Sequence, residues 1–382
     1  MTLFDVKNYS ARQKLLLAVA AALLLVGLLW EQLTPPEPES RSVAEALERV
    51  EDLNEEYPLE VQANTSVPQD LLDDTSEFMR VRQSLDLSNA PEPWPERVER
   101  EDYELYINVT ADFLVYYFEQ LGYTGAKIEA GELDGIPPIV AVSIPKGWAD
   151  DMTVALKKSI FYRVVLPLIL LENQAILADR DRVLAYRQKL RNRSPLSAEA
   201  RAEMLELAHA YRLASPDPAQ TLDLDMLDEL LLRVDLIPAS LAMGQAAYES
   251  GYGTSRFAHE GNALFGQWDW SEDRMRPTGQ REGKGDYGIK SFPFPIDSVR
   301  AYMRNLNSHS SYARFRAERA KQRGNQAAGH VDLNGHALAA TLDSYSERGS
   351  DYTQELQGII TFNRLQRADT LRLLGGDPIY FD

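Results

Sequence analysis

Between Leu15 and Trp30 the chain reads LLLAVAAALLLVGLLW, sixteen residues without a charge. Such a run is a membrane span, a cleaved signal or a fully buried helix, because no exposed surface element tolerates it. Its length falls just under the ~20 residues of a spanning helix and just over the roughly 7–15 of a signal-peptide core. The flanks decide between them: Lys7, Arg12 and Lys14 precede the run, and EQLTPPEPES follows it with no small-x-small cleavage site. The sequence therefore predicts a single-pass anchor over 15–33, behind a short segment, 1–14, that the positive-inside rule leaves in the cytoplasm. The cytoplasmic membrane is thus an expected partner, and the rest of the chain is expected in the periplasm.

The formal net charge is −18, which argues against a nucleic-acid partner, since a polyanion is repelled at long range. The excess is local. Residues 31–100 hold 18 acids against 6 arginines and no lysine, a net of −12. With Pro35, Pro36, Pro38, Pro91, Pro93 and Pro95 among them, 34–100 reads as an acidic, Pro-rich linker in which SVAEALERVEDLNEEY is the best helix. Residues 101–150 read as a small α/β module, with YELYINVTADFLVYYFEQLGY apolar and aromatic and PPIVAVSIP a buried strand. An envelope protein partner docking through 34–150 is one use for this region. From 151 to 382 helical patterning dominates: one long helix kinked near Pro167, further helices after Ser194-Pro195 and SPDPAQ, then a helix from Pro238 to about Ser250. The Trp-, Gly- and Pro-rich stretch 267–295 fits no helix and reads as a β-hairpin or irregular lobe.

After that Ala-rich helix stands ESGYGTSRFAHEGNALFG, residues 249–266. Gly251 is the natural left-handed cap, which leaves Glu249 in the last turn, where the partial negative charge of the helix end disfavours a carboxylate. The helix end favours the protonated carboxyl, the form a general acid needs, and burial in a cleft would push the same way. Gly251 and Gly253 keep the approach free of side chains. Tyr252, Phe257, Phe265, Trp268 and Trp270 offer flat apolar faces suited to sugar rings, and Asn262 offers an amide.

ESGYGTSRFAHEGNALFGQW resembles the signature of the bacterial peptidoglycan glucosaminidases, in particular their Bax-like members. LKKSIFYRVVLPLILLENQAILADR, SVRAYMRNLNSHSSYARFR and SYSERGSDYTQEL resemble the segments around it, so the likeness covers roughly 151–368. It implies a mainly α (α+β), lysozyme-like fold whose small β-lobe forms one cleft wall. It also implies hydrolysis of the β-1,4 bond after N-acetylglucosamine in peptidoglycan glycan strands. Carried over by position, Glu249 matches the proton donor. Tyr345 and Tyr352 match the two tyrosines of the C-terminal motif, both expected at the cleft, Tyr345 assisting by hydrogen bonding and Tyr352 contacting substrate. Asn262, Leu264, Phe265 and Gly266 match the element beneath. A second glutamate of the family's β-lobe has no clear counterpart: Glu272, Asp273, Glu282 and Asp286 lie in the region, Glu282 and then Asp286 being preferred, while DYGIKSF puts Gly288 where related chains carry Glu. A second carboxylate would open a water-activating, inverting route; without one the substrate's 2-acetamido group is the nucleophile.

Other chemistries find little support. The chain has no cysteine, which excludes disulfides, thiolate metal sites and a cysteine nucleophile. Its five histidines form no H-E-x-x-H pair, and no P-loop, G-x-S-x-G or dinucleotide fingerprint occurs; neither metal nor cofactor is expected. Glu172, in LPLILLENQ, reads as a helix-end or packing partner. Two alternative functions remain: a lytic transglycosylase, although NALFG stands where that class carries a GLMQ-type element, and a catalytically weak wall-binding scaffold.

Overall fold

Capping side chains set most of the helix starts. The computed structural model describes residues 41–56, 69–133, 135–214, 221–272, 274–277 and 286–382; the anchor expected over 15–33 lies outside them. Among the described residues no helix is long and apolar enough to cross a membrane. Helices α1 (Val43–Glu56) and α2 (Gln69–Gln83) lead into strands β1 (Glu96–Glu99) and β2 (Glu104–Ile107), then α3 (Ala111–Gln120), α4 (Gly125–Ala130), β3 (Gly135–Ile136) and β4 (Ile139–Ala141). Next come α5 (Val154–Arg191), α6 (Ala198–Ala210), α7 (Leu224–Arg233), α8 (Ala239–Ser250) and α9 (Arg256–Gly261). Strands β5 (Trp268–Asp269) and β6 (Gly288–Ile289) precede α10 (Pro295–Ser308), α11 (Ala313–Arg323), α12 (Gly335–Ala339) and α13 (Ser350–Phe362), and β7 (Arg372–Leu373) and β8 (Ile379–Phe381) close the order. Thr153, Ser197, Asp223 and Ser255 each accept a hydrogen bond from an amide in the first turn of α5, α6, α7 and α9, satisfying donors that a helix start leaves free.

Helix α8 is the hub. All of Ala239–Ala247 is buried, packed against α5, α12, α13 and a 3-10 turn at Leu365–Thr370. Small residues allow this approach: a side-chain carbon at Gly244 would stand 3.0 Å from Ile360 and 3.1 Å from Leu356. The long helix expected from the sequence is α5, which runs as one element through Pro167. Glu172 lies mid-helix rather than at an end, buried and paired with Arg300 of α10 at 3.0 Å; burial pushes its carboxyl up and Arg300 opposes that.

The boundaries read from composition at 100/101 and 150/151 are not boundaries of packing, since 41–382 form one compact unit. The main sheet has the order β1-β2-β8-β4, with β8 parallel to both β2 and β4, so the chain's last strand sits between two strands of the 101–150 segment. The 34–100 segment, expected as a linker, is built into the core where it is described. Ala46, Val50 and Leu53 of α1 are fully buried, and Tyr380 of β8 bonds Asn54. The acids that dominate its composition face outward around a narrow apolar stripe, which bulk composition averages away. PPIVAV does form the buried strand β4. In the 267–295 stretch, β5 and β6 pair antiparallel with a further bridge from Met275 to Ile289, over a small separate cluster of Ala263, Ile289 and Phe292.

Candidate active site

Glu249 is the penultimate residue of α8, and Gly251 ends the helix at φ +60°. Ser250 shapes the turn beyond: its hydroxyl donates to Ala246 O (2.6 Å) and accepts from Gly253 N (2.8 Å). Trp148, from the segment before α5, donates its indole N–H to Gly253 O at 3.2 Å. The glycine-bordered approach is therefore rigidly held rather than open chain, and the 101–150 region buttresses it.

Burial raises the Glu249 carboxyl to about 7, against a smaller lowering by the Tyr352 hydroxyl, which donates to Oε1 at 3.1 Å. Tyr352 is fully buried on α13, with its ring stacked on that of Tyr345 (centroids 5.6 Å apart, planes at 7°). Tyr345 in turn donates to Phe265 O at 3.2 Å. A side-chain carbon at Gly266, which sits at φ +59°, would stand 3.4 Å from Glu249 Oε2. The structure thus gathers Glu249 and the Phe265–Gly266 backbone from one stretch of sequence and Tyr345 and Tyr352 from another, some 80 residues later. The hydroxyls of Tyr345, Tyr352, Tyr302 and Tyr312 are all pushed up, first by burial and further by the negative charge of Glu249. A carboxyl that holds its proton near neutrality, ringed by neutral phenols, can deliver that proton to a leaving-group oxygen.

Other expected ligand contacts are placed differently. Phe265 is 1% exposed and stacks on Tyr302 at 3.9 Å; its ring belongs to the core, and its contribution is the carbonyl that holds Tyr345. Asn262 caps α9 at φ +50° and spends its amide N–H groups on Phe292 O (3.0 Å) and Pro293 O (2.9 Å), so it braces the loop before α10. Tyr252 packs its ring against Phe161 and Tyr162 of α5, both at 5.8 Å, beneath the Lys158 ammonium. Trp268 and Trp270, 38% and 62% exposed, remain surface platforms on the β-lobe, Trp268 stacked on Tyr287 at 4.8 Å.

Of the second-carboxylate candidates, Glu282 and Asp273 lie outside the described residues. Glu272 is exposed. Asp286 is exposed and ion-paired with Arg274 and, at 3.5 Å, with Arg276. A side-chain carbon at Gly288 would stand 2.6 Å from Met275 O, so strand pairing leaves no room there for a glutamate. Among the described residues no group of three His, Asp or Glu side chains could hold a metal.

Three residues that support the site escape a reading by motif. Gln245 and Tyr302 are buried and bonded to each other, Tyr302 Oη donating to Gln245 Oε1 at 2.6 Å. Asp369 accepts from Ser240 N (2.8 Å), Ser240 Oγ (2.7 Å) and Gly335 N (3.0 Å), capping α8 and α12 together. Only Gln245 carried a sequence signal, lying one helical turn before Glu249.

The glucosaminidase family, described as mannosyl-glycoprotein endo-beta-N-acetylglucosaminidase, matches residues 226–365, a span that holds Glu249, Tyr345 and Tyr352. Protein bax of Escherichia coli (strain K12) is 31% identical over 200 residues, covering 52% of this chain and 67% of that protein. No solved structure matches. The buried acid at the end of α8, the two tyrosines stacked beside it and these likenesses agree: the chain belongs to the glucosaminidase family, among its Bax-like members.

Proposed function

We propose that the chain is a peptidoglycan hydrolase, an endo-β-N-acetylglucosaminidase that cleaves the β-1,4 bond after N-acetylglucosamine, with Glu249 as general acid. One observation carries the reading: the Glu249 carboxyl, held at about 7 by burial, stands at a rigid, glycine-bordered helix end within the family match. Glu249 gives its proton to the glycosidic oxygen as the bond from C1 breaks, and the carboxylate left behind keeps the Tyr352 hydrogen bond. The helical body with its small β-lobe serves as a lysozyme-like frame, and the exposed Trp268 and Trp270 supply stacking faces. The segment 15–33 anchors the enzyme in the cytoplasmic membrane with its catalytic part in the periplasm. Recovery in the soluble fraction as an N-terminally trimmed species would refute that anchor.

The decisive assay is digestion of purified peptidoglycan by the wild type and by Glu249→Gln. The expected result is reducing N-acetylglucosamine ends from the wild type and about 10²–10⁴-fold slower release by the variant. Anhydromuramic ends would identify a transglycosylase, and absence of wild-type cleavage a wall-binding scaffold; undiminished activity of the variant would remove Glu249 from its role. The anomer formed first identifies the nucleophile: α for a water activated by a β-lobe carboxylate, β for the substrate's own acetamido group.

A further inference from the structure

Behind Glu249 runs a chain of buried hydrogen bonds: Tyr302 Oη to Gln245 Oε1 at 2.6 Å, Gln245 Nε2 to Tyr352 Oη at 2.8 Å, and Tyr352 Oη to Glu249 Oε1 at 3.1 Å. Gln245, Tyr302 and Tyr352 are essentially inaccessible to solvent, so each polar atom depends on these partners alone. The chain has a direction. A phenol has one hydrogen, an amide oxygen only accepts and an amide nitrogen only donates. Tyr302 spends its hydrogen on the Gln245 oxygen, which turns the amide nitrogen toward Tyr352. Tyr352 must accept there, so its own hydrogen is committed to Glu249 Oε1.

We propose that Gln245 is a positioning residue that aims the acid's proton: by forcing Tyr352 to donate to Oε1, it confines the Glu249 proton to Oε2, the oxygen beside the Gly266 backbone. The opposite amide orientation would leave the Tyr302 hydroxyl hydrogen without an acceptor in the core. It would also draw the Tyr352 hydrogen to Gln245 and let a protonated Oε1 point inward, where no glycosidic oxygen can reach it. Stacking of Tyr345 on Tyr352 and of Phe265 on Tyr302 fixes both phenol rings, so the amide has one satisfied orientation. This assignment rests on Glu249 being the acid of the proposed reaction, but the hydrogen-bond chain can be tested without turnover.

The test is a carbon-13 NMR titration of the Glu249 carboxyl, assigned by its loss in Glu249→Gln, in the wild type and in Gln245→Leu, Tyr302→Phe and Tyr352→Phe. The groups facing this carboxyl are Tyr352 of α13, Tyr345 of the preceding loop, Tyr302 of α10 and Tyr312 of the 3-10 turn at Ser310–Tyr312; all are neutral across the range scanned. Weakening the Tyr352 donation removes a lowering influence. Gln245→Leu should therefore move the midpoint up by roughly half a unit or more, and Tyr302→Phe should move it by less in the same direction. On the Tyr352→Phe background Gln245→Leu should add nothing. Catalysis should follow, with kcat reduced about tenfold, KM little changed and the basic limb of the rate profile displaced with the midpoint. An unchanged midpoint in folded Gln245→Leu, or an equal shift with Tyr352 already removed, overturns the proposal. Tyr302→Phe keeps the packing and loses one oxygen, so it decides the matter if Gln245→Leu does not fold. A shifted midpoint alongside an inactive wild type would instead leave the hydrogen-bond chain standing and refute the hydrolase.

Discussion

Glu249 stands where two influences favour its proton: the partial negative charge at the end of α8 and the loss of water around the carboxyl. The second was invisible in the sequence, since helix position follows from Gly251 but burial depends on α13 and the loop before it. A raised carboxyl has a stability consequence with a definite sign. Between its ordinary 4.5 and about 7 the native state binds more protons than the unfolded one, so stability falls as pH rises through that window. At about 1.4 kcal/mol per unit the full effect above pH 7 is roughly 3 kcal/mol. Glu249→Gln removes it. The variant should melt several degrees above the wild type at pH 8 and level with it near pH 4, while losing activity. Denaturation curves at the two pH values check this; equal melting at both would contradict the raised carboxyl. Wild-type kcat/KM should fall above about pH 7 as the acid ionises.

At the scale of elements, α8 is pinned at both ends by different means. Its C-terminal end is local: Gly251 takes the left-handed cap, and Ser250 bonds the turn within three residues. Local chemistry of this kind is legible, as are the caps of α5, α6, α7 and α9, because the capping atom lies within four residues of the amide it satisfies. The N-terminal end is not legible. Pro238 caps nothing with its side chain, and the acceptor is Asp369, 129 positions away. Asp369→Ala leaves Ser240 N and Gly335 N without acceptors in the core. It should cost about 1–3 kcal/mol, read as a lower denaturant midpoint, and should lower kcat, because the helix that carries Glu249 loses its far anchor. A variant as stable as the wild type would show that this cap is dispensable.

Across the whole molecule, the surprise in the packing is how far the ends of the described region reach into it. β8 lies between β2 and β4, Arg41 pairs with Asp382, and the apolar stripe of α1 is sealed in the core. Asp235, between α7 and α8, lies among Arg180, Arg319 and Arg323; burial pushes its carboxyl up, yet the arginines hold it below its ordinary value. Removing residues 377–382 takes out a central strand and exposes the backbone edges of β2 and β4. The truncated chain should lose its cooperative unfolding transition and aggregate, which circular dichroism and gel filtration would show. A folded, monomeric product would mean the sheet does not depend on β8.

Hydrophobic period, caps and glycine positions act within a few residues, so the sequence by itself determined the helices at Val43–Glu56, Val154–Arg191 and Ala239–Ser250, the strand at Ile139–Ala141, the position of Glu249 at a helix end and the family. Burial and hydrogen-bond direction arise only when distant segments meet. The tertiary structure alone therefore decided that Phe265 and Asn262 serve the frame, that Gly288 excludes a carboxylate and that the acidic segment joins the core. It alone placed Gln245, Tyr302 and Tyr352 behind the acid, because a carboxyl's proton is held by the water it loses and the donors it meets, and here those donors come from α8, α10 and α13.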